Sequence, residues 1–153
     1  MKKKRIAIAA AVAAAVTGIS AGAVYALTTE VVARGTFVSQ KDKVELVRGV
    51  ARLIGDPTDA AVQHIVLGPG EGPGWHTHAG PAVAIVKTGT FTLVDDDCSE
   101  QTFTAGQVFV DEGFGHVHRA FNPTSGTTEI WVMYIVPQGS GLIIPADAPS
   151  CAS

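Results

Sequence analysis

The sequence predicts an all-β fold, and three observations carry that prediction. Short runs rich in β-branched and aromatic residues recur along the chain, bounded by Gly, Pro, Asn or Asp. After the first 26 residues no segment sustains the 3.6-residue apolar period of an amphipathic helix. The 153 residues suit one domain, with neither an internal repeat nor a second domain in view. Many short strands separated by turns form a sandwich or a barrel, and closing the sheet limits the hazard of unpaired edges.

The elements follow in chain order. Met1-Lys2-Lys3-Lys4-Arg5 precedes an alanine-rich apolar stretch from Ile6 to Leu27. A cationic start before an apolar run is the pattern of a secretory signal. Val24-Tyr25-Ala26 places small residues at the −3 and −1 positions of a cleavage site after Ala26. The same stretch is about long enough to cross a bilayer as a helix. Residues 1–26 are therefore read as a signal peptide, with an uncleaved N-terminal membrane anchor helix as the alternative. Either way the domain at 27–145 is expected outside the cytoplasm, secreted or anchored, and membrane contact is confined to residues 6–26.

Strand candidates are Val31–Val38, Val44–Arg48, Ala61–Leu67, Val83–Lys87, Phe91–Asp95, Gln101–Thr104, Val108–Val110, His116–Asn122 and Glu129–Val136, with a shorter one through Leu142–Ile144. Gly89 and Gly106 supply the positive φ that tight hairpins need. Asn122-Pro123-Thr124-Ser125-Gly126 is a strong turn. Residues 146–153 read as an irregular polar tail.

Composition narrows the partners. Four of the 11 Lys and Arg lie at positions 2–5, so a chain cleaved after Ala26 keeps seven against 14 Asp and Glu, a net charge of −7. An acidic domain without a basic stripe does not neutralise phosphates, which argues against nucleic-acid binding. The two cysteines, Cys98 and Cys151, are an even count in a chain read as exported, and predict a disulfide that pins the tail. Such a bridge stabilises by about 4 kcal/mol in the chain-entropy model. The alternative is two free thiols, one of them a metal ligand.

The chemistry lies in two histidine pairs. His76-Thr77-His78 directly follows Gly70-Glu71-Gly72-Pro73-Gly74-Trp75, and His116-Val117-His118 comes about forty residues later. Residues i and i+2 of a strand share a face. Two adjacent strands would aim four imidazoles into one volume, a donor set suited to transition metals. Calcium and magnesium, which take oxygen ligands, are disfavoured.

The frames around these pairs resemble those of the cupin family. Gly70, five residues, His76-Thr77-His78 and, further on, Gly89 match the first motif, with Ala82 where that motif carries glutamate. Gly106, then Gly115, two residues, His118, three residues and Asn122 match the second; Glu112 replaces the usual proline and one extra residue follows. The motifs occupy 70–89 and 106–122, and the likeness spans roughly 60–137. It implies a single-domain jelly-roll β-barrel. It also implies a divalent transition-metal ion (Fe, Zn, Cu, Mn or Ni) on His76, His78 and His118. Ala82 cannot ligate, which leaves three remedies: His116 as a fourth ligand, Asp111 or Glu112 reaching in, or three imidazoles with positions open to water and substrate. The preferred set is three histidines, with His116 as candidate fourth.

Strand parity sketches the pocket. With His76 and His78 inward, Gly80, Ala82, Ala84 and Val86 follow; with His118 inward, His116, Ala120 and Asn122 follow. Small residues leave room, and no cation lies on these registers, so a small neutral or weakly acidic organic ligand is expected. His64 is read as structural or exposed, Trp75 as wall or packing, Arg119 as a solvated cation, and Asp95-Asp96-Asp97 as a solvated turn. Three readings remain: a metal-dependent oxidoreductase of dioxygenase type, a non-catalytic module that binds or senses a metal or small ligand, or a structural barrel whose site is vestigial. Homodimerisation through the sheets is a further expectation from the resemblance.

Overall fold

The computed structural model describes residues 27–37 and 57–152. Residues 1–26, expected as signal peptide or anchor helix, and the candidate strand Val44–Arg48 lie outside the described residues. Within them the strands are β1 (Thr28–Thr36), β2 (Thr58–Leu67), β3 (His76–Thr77), β4 (Ala82–Thr88), β5 (Thr90–Val94), β6 (Glu100–Thr104), β7 (Val108–Asp111), β8 (Arg119–Phe121), β9 (Thr128–Pro137) and β10 (Ile144–Pro145). A 3-10 turn spans Ser150–Ala152.

These strands form a five-stranded sheet ordered β1-β2-β9-β4-β7, a three-stranded sheet ordered β6-β5-β8, and a two-stranded ribbon of β10 and β3. All pairings are antiparallel. The expected all-β jelly roll is what the chain adopts.

Alternation explains which face is buried. Along β2, Ala61, Gln63, Ile65 and Leu67 point inward while Val62, His64 and Val66 face outward. Along β9, Ile130, Val132, Tyr134 and Val136 point inward. The apolar residues among these and Tyr134 join Ala82, Ala84 and Val86 from β4 and Phe91, Leu93 and Ala120 from the smaller sheet in one core. Burying one face of each sheet against the other is what stabilises a two-layer β fold.

Polar clamps set the ends of the core. Buried Asp59 accepts hydrogen bonds from Arg34 Nε (2.7 Å), Thr36 Oγ1 (2.7 Å) and the Gly139 amide (3.0 Å), tying β1 to β2 and to the turn after β9. The Gly139 amide, then Thr36 and Arg34, hold its carboxyl down at about 2. Asn122 is fully buried, and its Nδ2 lies 3.2, 3.1 and 2.6 Å from the carbonyls of Leu67, Gly68 and Gly126. It latches the end of β2 to the turn before β9, so its inward register serves structure rather than a ligand.

The expected strand His116–Asn122 is shortened to Arg119–Phe121. Gly113, Phe114 and Gly115 all have positive φ (66°, 57° and 98°), which breaks strand geometry just before His116. A Cβ at Gly113 would lie 2.2 Å from the Gly80 carbonyl oxygen, so only glycine fits there. Cys98 and Cys151 form a disulfide that pins the tail to the turn after β5.

Candidate metal centre

Backbone pairing brings the three histidines together. His76 and His118 exchange both main-chain hydrogen bonds, N to O 2.8 Å and 2.9 Å, in a bridge between β3 and the residue before β8. His78 lies two residues beyond His76. Ring centroids are 4.3 Å apart for His76 and His118, 5.0 Å for His76 and His78, and 5.1 Å for His78 and His118. One ring nitrogen from each lies within 4.8 Å of the others, and all three residues are buried.

The rings are oriented from behind. His76 Nδ1 lies 2.6 Å from the Gly74 carbonyl, and His78 Nδ1 lies 2.6 Å from the Leu142 carbonyl. A carbonyl only accepts, so each Nδ1 carries the proton and each Nε2 keeps a free lone pair. That tautomer is the one a metal-ligating histidine needs. Burial lowers His76 to about 4 and also lowers His78. Both are neutral at neutral pH and able to donate to a cation.

His118 is backed by a carboxylate. Its Nδ1 is buried and lies 3.1 Å from Asp111 Oδ2, off the line of a good hydrogen bond and with no other partner. Asp111 Oδ1 accepts from the Gly113 amide at 2.8 Å. Burial pushes Asp111 up, but its close contacts with His118 and then the hydrogen bond to His116 outweigh it, and the carboxyl stays well below its ordinary range. A buried anion close to the neutral His76 and His78 imidazoles makes the site attractive to a cation.

His116 occupies a different place. Its Nδ1 contacts Asp111 Oδ2 at 2.8 Å and its Nε2 contacts Asp95. Burial draws its pKa down, but the Asp111 hydrogen bond and the charges of Asp111 and Asp95 more than offset this, so it is raised. His116 groups with Asp111 and His118 rather than with His76 and His78. The left-handed turn at 113–115 displaces it from the alternation that would have kept it level with His118. Glu112 is exposed, so of the two acidic candidates Asp111 is the one at the site.

A small cavity of about 40 Å³ opens onto the cluster. His76, His78, His118, Asp111 and Tyr134 line its polar end; Ile65, Leu67, Phe91, Leu93, Phe109 and Ile130 are among its apolar walls. No lysine or arginine lines it. Ala82, at the position where the motif carries glutamate, lines it too and leaves space rather than a ligand. Tyr134, absent from the sequence-level site, donates its hydroxyl proton to Gln63 Oε1 at 3.0 Å. Burial, with the charge of Asp111, raises its pKa further above that of an ordinary phenol. Its inward parity with Ile130, Val132 and Val136 was the available signal.

Other singled-out residues lie away from the cavity. The Arg119 guanidinium sits 5.7 Å from the Trp75 ring centroid and 5.1 Å from that of Phe121, so it is a stacked cation rather than a freely solvated one. Trp75 is its stacking partner, not cavity wall. His64 stacks on Trp131 on the outer face at 4.6 Å. Asp96 and Asp97 are exposed, and Asp97 Oδ1 caps the Ser99 amide at 2.8 Å. The imidazole donor set and its carbonyl backing fit a divalent transition-metal ion.

A family model described as a cupin domain matches residues 63–136. No curated protein matches the chain. Among solved structures, a cupin superfamily protein from Desulfitobacterium hafniense DCB-2 aligns over 73% of this chain and 79% of its own, at 9% identity and a TM-score of 0.50. A cupin domain from Bordetella pertussis aligns over 50% of this chain and 80% of its own, at 23% identity and a TM-score of 0.44. An RmlC-like cupin family protein from Methanocaldococcus jannaschii aligns over 51% and 70%, at 24% identity and a TM-score of 0.46. At these identities the likeness is one of fold.

Proposed function

We propose, for a chain that belongs to the cupin family, that His76, His78 and His118 hold one divalent transition-metal ion facing a small apolar cavity. The reading is of a metal-dependent module for a small, largely apolar, neutral or weakly acidic organic molecule. The observation that carries it is the pair of Nδ1-to-carbonyl hydrogen bonds at His76 and His78, which commit both Nε2 atoms to a ligand. When bound, such an ion supplies a Lewis acid with open positions for a polar head group. Asp111 holds negative charge behind His118, Tyr134 presents its ring to the cavity, and the apolar walls exclude water from the rest of the ligand.

Oxidoreductase chemistry of the dioxygenase type is the finer form of this reading. The disulfide and the cationic, apolar N-terminus support its placement outside the cytoplasm. The test starts with the chain purified without chelator, its metal content measured, and oxygen uptake followed on small phenols and thiols. One metal per chain with oxygen uptake supports the enzyme. One metal with ligand binding and no turnover supports the binding module. Absence of metal, with His76→Ala leaving ligand affinity and melting temperature unchanged, rules out both.

A further inference from the structure

Two supports of the candidate metal centre converge on one covalent bond. The first runs through the C-terminal segment. The Leu142 carbonyl takes the Nδ1–H of His78, Ile143 lines the cavity, and Pro145 pairs with His76 where β10 meets β3. The Ala146 amide donates to the Trp75 carbonyl at 3.0 Å. Five residues further on, Cys151 is bonded to Cys98. The second support runs through the turn after β5. The Cys98 amide donates to the Asp95 carbonyl, and the Asp95 amide to the Ser99 carbonyl, both at 2.9 Å. The Asp95 carboxylate meets His116, His116 meets Asp111, and Asp111 backs His118. One sulfur thus anchors the segment that orients His78. The other stands in the turn that steadies the chain of side chains behind His118.

We propose that the Cys98–Cys151 disulfide is a redox-sensitive latch on the metal centre, an inference that rests on the three-histidine reading above. Among the described residues, the backbone hold of the C-terminal segment on the site is the two-residue ribbon and the Ala146 bond; Leu142 packs partly buried against the core, while Ile143, Ile144 and Pro145 are exposed. A ribbon that short is marginal in water, and segments with few buried contacts open at low cost. The disulfide, spanning 53 residues of sequence, restricts that opening. Cys151 is exposed, so a small dithiol reaches it. Reduction delivers two electrons and two protons to the sulfurs, giving two thiols, while the dithiol closes to its own disulfide. The released segment withdraws the Leu142 carbonyl from His78, and the turn at Asp95 loosens its grip on His116.

The test titrates the full oxidised chain and its Cys98→Ser/Cys151→Ser variant with Zn2+ alone, against a chromophoric chelator, well below either melting temperature. The variant is expected to bind about ten- to hundredfold more weakly, the range for losing an outer-shell partner, with an unchanged far-ultraviolet spectrum. Wild type that has been reduced, alkylated and freed of reagents is expected to match it. Equal affinities overturn the latch and leave the metal reading standing; no Zn2+ binding by the oxidised wild type overturns the metal reading itself. Should the variant not fold, amide exchange is read in the reduced chain. Loss of protection at Ala146 ahead of the β2 and β9 amides supports the latch. Unchanged protection at Ala146, or simultaneous loss across the core, overturns it, because the bond is then either idle or a general staple.

Discussion

The β2–β9 pair and the β3–β10 ribbon are both antiparallel, yet they differ in almost every physical respect. β2 and β9 keep one register over ten residues, from Thr58↔Pro137 to Leu67↔Thr128, with apolar residues alternating into the core. The ribbon pairs two residues, Ile144↔Thr77 and Pro145↔His76, and its β10 strand is exposed. The long pair holds no candidate ligand, while the ribbon holds one and abuts a second. Burial and ladder length stabilise the barrel, whose β2 and β9 side chains wall the cavity without ligating, and the imidazoles are secured separately by carbonyls, a carboxylate and a disulfide. Losses of stability and of metal affinity are therefore separable by mutation.

The largest expected effect breaks the long pair. Leu67→Ala removes a fully buried side chain at the end of β2 and is expected to cost about 2–5 kcal/mol in denaturant unfolding. The folded fraction still binds one metal. A loss of stability accompanied by an equal loss of metal stoichiometry in the folded fraction would merge the two regions.

In the other region, His78→Ala is expected to weaken metal binding by more than about a hundredfold, beyond the range for an outer-shell partner. The metal-free melting temperature should move little by comparison. Asp111→Asn acts one step further out, and about ten- to hundredfold weaker binding is expected from competition titration. An unchanged affinity there would mean that Asp111 does not orient His118.

The smallest effect is on pH dependence. The folded chain takes up a proton at His76 near pH 4, whereas the unfolded chain does so near 6.5. Between these values the unfolded state binds more protons, so the metal-free protein loses stability as pH falls through that window. At pH 5.5 the loss from His76 is about 1 kcal/mol relative to pH 7. A scan of melting temperature against pH reads it, and His76→Gln should flatten the slope; an equally steep slope in that variant would assign it to other groups.

What was legible in the sequence follows the same division. Runs rich in β-branched and aromatic residues between turn residues marked β2, β4, β5 and β9 to within a few residues, because such side chains fit a packed pleated surface. The His-x-His spacing and its glycine frame marked His76, His78 and His118, because residues i and i+2 of a strand share a face. His116 was misleading: its two-residue spacing from His118 promised a shared aim, but Gly113, Phe114 and Gly115 turn left-handed ahead of it. The Leu142 carbonyl that orients His78 lies 64 residues away and is a backbone atom, so no residue type announces it. Asp95 read as part of a solvated turn because its partner, His116, comes close only through folding.

X-ray absorption at the metal edge of the full oxidised chain, loaded with one equivalent of Zn2+, tests the central claim most directly. The account predicts three imidazole nitrogens at about 2.0–2.1 Å, falling to two in His78→Ala. Scattering without imidazole, or a spectrum that the substitution leaves unchanged, would contradict it.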